Sequence, residues 1–212
     1  MSKAQVQSDR IEALLFDLDG TLLDSFACHL EAFRQTFAHY GIEMSDELFR
    51  GSYSPDWYQT YRAFGLPANV WKEADSYWAK ITSARSPVVF PGVGDSLAVL
   101  SRRFTLGVVT SGSRTRVRAA LARTALDSFF KVVITGDDVK QKKPSPEGLL
   151  MALRELRLRP DQALFIGDAE ADLKMARAAG TPFIGVSSKF ENLSQRHRCV
   201  RIDSISTLPA ML

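Results

Sequence analysis

Apolar positions along the chain follow two different rhythms. Ile11 to Phe16 is a short unbroken apolar run that predicts a buried strand, and it stops at the polar cluster Asp17-Leu18-Asp19-Gly20-Thr21. Ser25 then reads as an N-cap, and Phe26, Leu30, Phe33 and Phe37 recur at helical spacing until Gly41. Ser54-Pro55 opens a second predicted helix, with proline in the first turn where its missing N–H costs nothing, and the pattern closes near Gly65. Asn69 opens a third, with Trp71, Ala74, Trp78 and Ile81 on one face. From Ser25 to Arg85 the rhythm is helical throughout.

After Pro91-Gly92 strands and helices alternate. The predicted order is helix Asp95–Arg103, strand Phe104–Val109, helix Thr115–Arg123, strand Lys131–Ile134, helix Pro146–Arg157, strand Ala163–Ile166, helix Asp172–Ala179 and strand Pro182–Val186, with Cys199 to Ile202 as a last strand. Such alternation means a parallel sheet covered on both faces. The expected fold class is therefore α/β: a doubly wound parallel sheet, Rossmann-like, formed by residues 1–24 and 86–212, with an all-helical cap inserted at 25–85.

In doubly wound sheets ligands bind beyond the carboxyl ends of the strands. Polar clusters stand at those ends: Asp17 and Asp19 after the first strand, Thr110 and Ser111 after the second, Lys143 in the loop after the third, and Asp168 after the fourth. Side chains two apart in extended chain point the same way, so Asp17 and Asp19 are expected side by side, where two carboxylates repel unless a cation holds them. With Asp168, and Asp172 one helical turn later, the site collects enough acidic oxygen for Mg²⁺, which suits carboxylates and a substrate phosphate. It offers no convergent His/Cys set for zinc.

Phosphoryl transfer needs an in-line nucleophile, neutralised charge and donors for the equatorial oxygens. A carboxylate can be that nucleophile, and a second carboxylate can move the proton. Thr110 and the backbone N–H groups of Ser111 and Gly112 can hold phosphoryl oxygens at a helix start, and Lys143 can neutralise both Asp17 and a phosphate. Each feature also has a plain reading. Asp19-Gly20 is a turn signal, Gly167-Asp168 a helix start, Thr110-Ser111-Gly112 a turn and cap, and Lys143 before Pro144 a solvated loop lysine.

Composition narrows the class further. The chain has 212 residues, 45% hydrophobic and 24% charged, which excludes disorder and fibres. A net charge of +3 without a Lys/Arg run argues against nucleic acid and only weakly favours an anionic small molecule. Two cysteines, Cys28 and Cys199, give no disulfide framework. The first ten residues are polar, without a signal-peptide core, and no apolar run is long enough to span a bilayer. The expectation is a cytoplasmic protein, a monomer or weak dimer, with a small phosphorylated metabolite as its partner and no membrane.

Taken together the clusters carry a resemblance. Asp17-Leu18-Asp19-Gly20-Thr21-Leu22 resembles the first motif of the haloacid dehalogenase-like hydrolase superfamily. Thr110-Ser111 resembles its second, Lys143-Pro144-Ser145-Pro146-Glu147 its third, and Gly167-Asp168-Ala169-Glu170-Ala171-Asp172 its fourth. The resemblance implies that Asp17 is the nucleophile and Asp19 the general acid/base. It implies that Asp17, the backbone carbonyl of Asp19, and Asp168 bind Mg²⁺ with support from Asp172, while Thr110 and Lys143 hold the transferring phosphoryl group. The insertion resembles the family's helical cap. Arg50-Gly51-Ser52 is expected in a cap loop, with Arg50 able to meet the substrate's distal end, whereas Trp57, Tyr58, Trp71 and Trp78 read as cap surface or cap core.

The second aspartate of the first motif argues against a dehalogenase, and a phosphatase with an aspartyl-phosphate intermediate is the leading expectation. The alternative is a β-phosphoglucomutase-like enzyme, whose fourth motif usually reads Glu-Asp where this chain has Gly167-Asp168. A catalytically silent binding module is the alternative from another class, and the intact Asp17, Asp19, Lys143 and Asp168 argue against it. Ser111 replaces an asparagine frequent in phosphoglycolate phosphatases, and Lys142 replaces a small residue, which puts phosphoglycolate itself in question.

Overall fold

Ala13–Phe16 (β1) is buried along its whole length because both of its faces are covered. In the computed structural model, which describes residues 10–53, 57–188, 193 and 198–212, β1 pairs in parallel with Thr105–Val109 (β2) on one side and Ala163–Gly167 (β4) on the other. Phe130–Ile134 (β3) adds beyond β2, and Phe183–Val186 (β5) and Val200–Ile202 (β6) beyond β4, giving the order β3-β2-β1-β4-β5-β6 with every pair parallel. The strand order reverses at β1, and the crevice at such a switch point is where ligands bind.

The period-two alternation of a strand sorts β1 between two cores. Leu14 and Phe16 join Leu97 of α5 (Val93–Leu100) and Val117 and Leu121 of α6 (Arg114–Arg123). Ala13 and Leu15 join Leu149 and Leu153 of α7 (Glu147–Leu156) and Met175 and Ala176 of α8 (Glu170–Ala179). Covered on both sides, β1 and β4 need no polar face, which is why both are unbroken apolar runs.

Between β1 and α5, helices α1 (Phe26–His39), α2 (Asp46–Ser52), α3 (Trp57–Ala63) and α4 (Trp71–Ser83) build a cluster of their own. Phe33 is its centre, fully buried, with the rings of Phe37, Phe49, Tyr53, Trp57, Tyr61 and Trp78 all within 6.2 Å between centroids. Such aromatic packing adds to the burial of apolar area.

Local details differ from the sequence expectation. Ser25 takes the N-cap position of α1 but with near-helical backbone and no capping bond. Arg50-Gly51-Ser52 is no loop: it ends α2, whose Ser45 cap accepts from the Leu48 N–H and whose first turn holds Asp46 and Glu47. The expected Ser54-Pro55 helix start lies outside the described residues. Asn69 falls within a single 3-10 turn, Ala68–Val70, that runs into α4. A short helix α9 (Leu208–Met211), packed on α5, was not expected.

Phe33→Ala should cost about 3–5 kcal/mol, since it opens a cavity among rings that cannot collapse into it. Leu48→Ala, at a half-exposed position, should stay within about 0.5 kcal/mol. Urea unfolding of both variants checks the contrast, and comparable losses would contradict this account of the aromatic centre.

Candidate active site

The end of β1 is held in the ladder, since the Asp17 N–H donates to Ile166 O at 2.8 Å. Extended backbone stops there. Gly20, at φ +81°, turns the chain back, and a Cβ at this position would sit 2.3 Å from Asp168 Oδ2, so only glycine satisfies both the turn and the contact. The returning loop brings Thr21 Oγ1 to donate to Asp168 Oδ1 at 3.0 Å. Asp168 stands directly after β4, and Asp172 lies in the first turn of α8, where its Oδ2 accepts from the Ala169 N–H at 3.0 Å.

Lys143 completes the cluster. Its Nζ lies 2.7 Å from Asp17 Oδ1 and 2.7 Å from Asp172 Oδ1, and it is buried. Glu147, at the start of α7, braces the loop that delivers it by accepting from the N–H groups of Lys140 and Gln141 at 3.0 and 2.9 Å. Asp17, Asp168 and Asp172 each present a carboxylate oxygen within 4.8 Å of the others. Three carboxylates against one ammonium leave two negative charges, the complement of a divalent cation, and oxygen-only donors are what Mg²⁺ takes. The residues fit that ion.

The electrostatics agree. Burial, with Asp172 adding repulsion, outweighs Lys143 and pushes the Asp17 carboxyl up to about 7. Burial and the charges of Asp17 and Asp172 raise Asp168 well above the usual carboxylate range. Burial would lower Lys143, but Asp17 and Asp172 more than offset it and hold the ammonium charged.

Asp19 departs from the expected arrangement. Its carboxylate is not among the three that converge, which leaves its backbone carbonyl as the group it could offer a metal at Asp17. The carboxylate is held instead by Arg116 of α6, Nη1 donating to Oδ1 at 3.1 Å and Nη2 to Oδ2. Burial would raise Asp19, and the Arg116 guanidinium outweighs it and keeps the carboxyl well below the ordinary range. His29 Nε2 lies 3.6 Å from Asp19 Oδ1, but burial pushes that imidazole down to about 4, so it is neutral at pH 7.

Thr110 follows β2, its N–H donating to Ile134 O at 2.9 Å. The Gly112 N–H, expected to face a phosphoryl oxygen, donates to Thr110 Oγ1 at 3.2 Å. Thr110, Ser111, Gly112, Lys143, Asp17 and Asp168 border one chamber of about 30 Å³. Arg50 takes no part in it. Its guanidinium lies over the Phe26 ring at 4.6 Å, and it lines neither this chamber nor the larger cavity beyond Asp19.

Arg116, His29, Tyr53 and Trp57 also border the chamber, and sequence reasoning passed over the first three and placed Trp57 in the cap. A signal existed for two of them: His29 falls on the buried stripe of α1 between Phe26 and Phe33, and Arg116 precedes buried Ala120 by one turn.

The family model of haloacid dehalogenase-like hydrolases matches residues 14–186. The chain belongs to the haloacid dehalogenase-like hydrolases. This hydrolase is 35% identical to the pyrophosphatase PpaX of Anoxybacillus flavithermus over 84% of each chain. It is 31% identical to a phosphoglycolate phosphatase of Yersinia pestis, over 97% of its own length and 95% of the relative's. Its fold matches CbbY of Rhodobacter sphaeroides, solved in complex with phosphate, with a TM-score of 0.79 and 27% identity over 93% and 96% of the two chains. Among the described residues no helix is long and apolar enough to cross a membrane.

The raised acids of this hydrolase predict a pH-dependent response to metal. Between the free carboxyl value of 3.8 and about 7 the folded protein keeps a proton on Asp17 that the unfolded chain has lost. The contribution of Asp17 to stability therefore falls as pH rises through that window. A divalent cation competes with those protons, so Mg²⁺ should raise Tm more at about pH 8 than at about pH 5. Asp168→Asn should remove most of that shift. Thermal melts at both pH values decide it, and equal shifts would contradict the assignment.

Proposed function

We propose that this hydrolase is a Mg²⁺-dependent phosphatase that acts on a small phosphorylated metabolite through an aspartyl-phosphate on Asp17. The observation that carries the reading is the Asp17 carboxylate at the switch point of the sheet, paired with Lys143 and facing Asp168 across the same chamber. The relatives' names, a phosphoglycolate phosphatase and a pyrophosphatase, agree with phosphate removal.

In the first step an Asp17 oxygen attacks phosphorus, the bond to the ester oxygen breaks, and Asp19 gives its proton to the leaving alkoxide. In the second, water attacks the phosphorus, Asp19 takes the water's proton, and the bond to Asp17 breaks to release inorganic phosphate. Lys143 neutralises the nucleophile and the phosphoryl oxygens, and Thr110 and the Ser111 N–H donate to those oxygens. Asp17, the Asp19 carbonyl and Asp168 would hold Mg²⁺, with Asp172 positioning Lys143; the ion supplies charge neutralisation at the phosphoryl group. Asp19, ionised and bound to Arg116, suits the second step as it stands. The first step requires that pair to open.

Water as the acceptor is supported by Gly167. A Cβ there would meet Asp172 Oδ2 at 2.5 Å, so the glutamate of mutase-like motifs has no room beside this Asp172.

Asp17→Asn keeps shape and removes charge, and should lower turnover of p-nitrophenyl phosphate by at least about a thousandfold with the fold intact. Substantial activity in a clean preparation would sink the nucleophile assignment. EDTA should abolish activity, Mg²⁺ restore it, and Ca²⁺ inhibit, because its looser coordination spoils in-line geometry. With β-glucose 1-phosphate and a trace of glucose 1,6-bisphosphate, inorganic phosphate should outpace glucose 6-phosphate; the reverse order makes the enzyme a mutase.

A further inference from the structure

The chamber at Asp17 adjoins a second, much larger cavity. Asp19, His29, Trp57, Ser111 and Arg116 border both, so the acid/base carboxylate and its arginine form the partition between them. The larger cavity holds about 850 Å³ against about 30 Å³ for the chamber. Pockets for drug-sized molecules run from about 300 to 1,000 Å³, so this space suits a body far larger than a leaving group of two or three carbons.

Its floor is one face of α6. Arg116, Ala119, Ala120 and Arg123 follow one another at helical spacing along the cavity, two guanidiniums with two methyl-sized side chains between them. At 1.5 Å per residue the arginines stand roughly 10 Å apart along the axis. Trp57 and Tyr58 from the helical unit also line the cavity, ring faces suited to a flat or hydrocarbon body.

Charge is arranged unevenly around this space. Asp19 is taken by Arg116, Asp75 accepts from the hydroxyls of Tyr58 and Tyr61 at 3.0 Å each, and Asp137 accepts from the Arg114 N–H at 2.8 Å. At the far end Arg123 donates to Ser83 O and Ser86 Oγ, and Arg85, between those two residues in sequence, lines the same cavity. Asp24 also lines the cavity, its backbone N–H tied to Val88 O, and Glu31 acts electrostatically on Arg85. Lys142 adds a further exposed ammonium to the lining.

We propose that the larger cavity receives the leaving group, and that the substrate is an elongated phosphate monoester with a hydrophobic, ring-sized body ending in an anionic group that Arg123 and Arg85 meet. The proposal rests on the phosphatase reading of Asp17. It replaces Arg50, which points to neither cavity, as the recognition point for a distal anion.

Three aryl esters whose phenols have similar acidity test it: phenyl phosphate, biphenyl phosphate, and biphenyl phosphate carrying a carboxylate on its outer ring. Because the chemistry is matched, ratios of kcat/KM report the leaving-group contacts alone. The second ring should raise kcat/KM about tenfold through apolar burial. The carboxylate should raise it about a further fivefold to tenfold. Arg123→Gln should erase the carboxylate increment, and Arg85→Gln should reduce it. Ala119→Leu, which narrows an exposed part of the floor, should erase the ring increment. Equal kcat/KM for all three esters, with turnover still dependent on Asp17, would overturn the substrate class and leave the phosphatase reading standing. Increments that survive both Arg123→Gln and Ala119→Leu would overturn the placement of the leaving group along α6. No Asp17-dependent turnover of any of the three would overturn the proposal together with the reading beneath it.

Discussion

Three buried carboxylates share one ammonium at the carboxyl end of β1, and most of the site's geometry follows from that imbalance. Asp17 and Asp168 cannot both ionise beside a single Lys143, already shared with Asp172, without a large desolvation cost. The fold offsets part of it with fixed donors: Thr21 Oγ1 on Asp168, the Ala169 N–H on Asp172, and the shared Nζ of Lys143. What remains is held by protons or by a divalent cation. The glycines around the cluster follow from the same crowding. Gly20 and Gly167 leave space that carboxylate oxygens fill, so the backbone approaches the charges as closely as it can. A charged cluster of this kind works against stability, and such strain persists where the surrounding structure enforces it, here a sheet buried on both faces.

The parallel sheet explains why so much of this arrangement was legible from residues alone. A strand covered on both faces must be an apolar run, so Ala13–Phe16 and Ala163–Gly167 stand out, and the first polar residue after each is displayed at the same edge. Asp17, Thr110 and Asp168 were therefore readable as neighbours despite their distance in sequence. Lys143 was readable as part of a motif, but its second partner, Asp172, was not. That contact depends on α8 starting close enough for one ammonium to reach two carboxylates, which no spacing rule encodes.

Other features were hidden for a different reason. The direction of Asp19 is set by the turn at Gly20, and a two-residue spacing assumes extended chain that in fact ends at Phe16. Arg116 pairs with Asp19 across 97 residues of sequence, joining a helix of the core to a loop after β1. Periodicity places Arg116 on an inward edge of α6 but says nothing of what lies opposite. The loop expected at Arg50 is a helix instead. In a loop that side chain would have been free to turn toward the substrate, but Ser45, Asp46 and Glu47 start a helix that ends at Ser52 and lays Arg50 over Phe26.

Asp19 links the two cavities and the two parts of the fold. It is gripped from the core by Arg116 and approached from the helical unit by His29, which packs beside Trp57 and Trp78 and lies 3.3 Å from the Tyr53 hydroxyl through its Nδ1. The imidazole is neutral, so Arg116 is the main cation on Asp19, with Ser25 adding a hydrogen bond, while His29 and Trp57 border the chamber. His29, Tyr53 and Trp57 pack on one another as one aromatic group of the helical unit, so they approach Asp19 as a unit. Asp17 is thus placed by the sheet, while Asp19 is bordered by side chains of both the core and the helical unit.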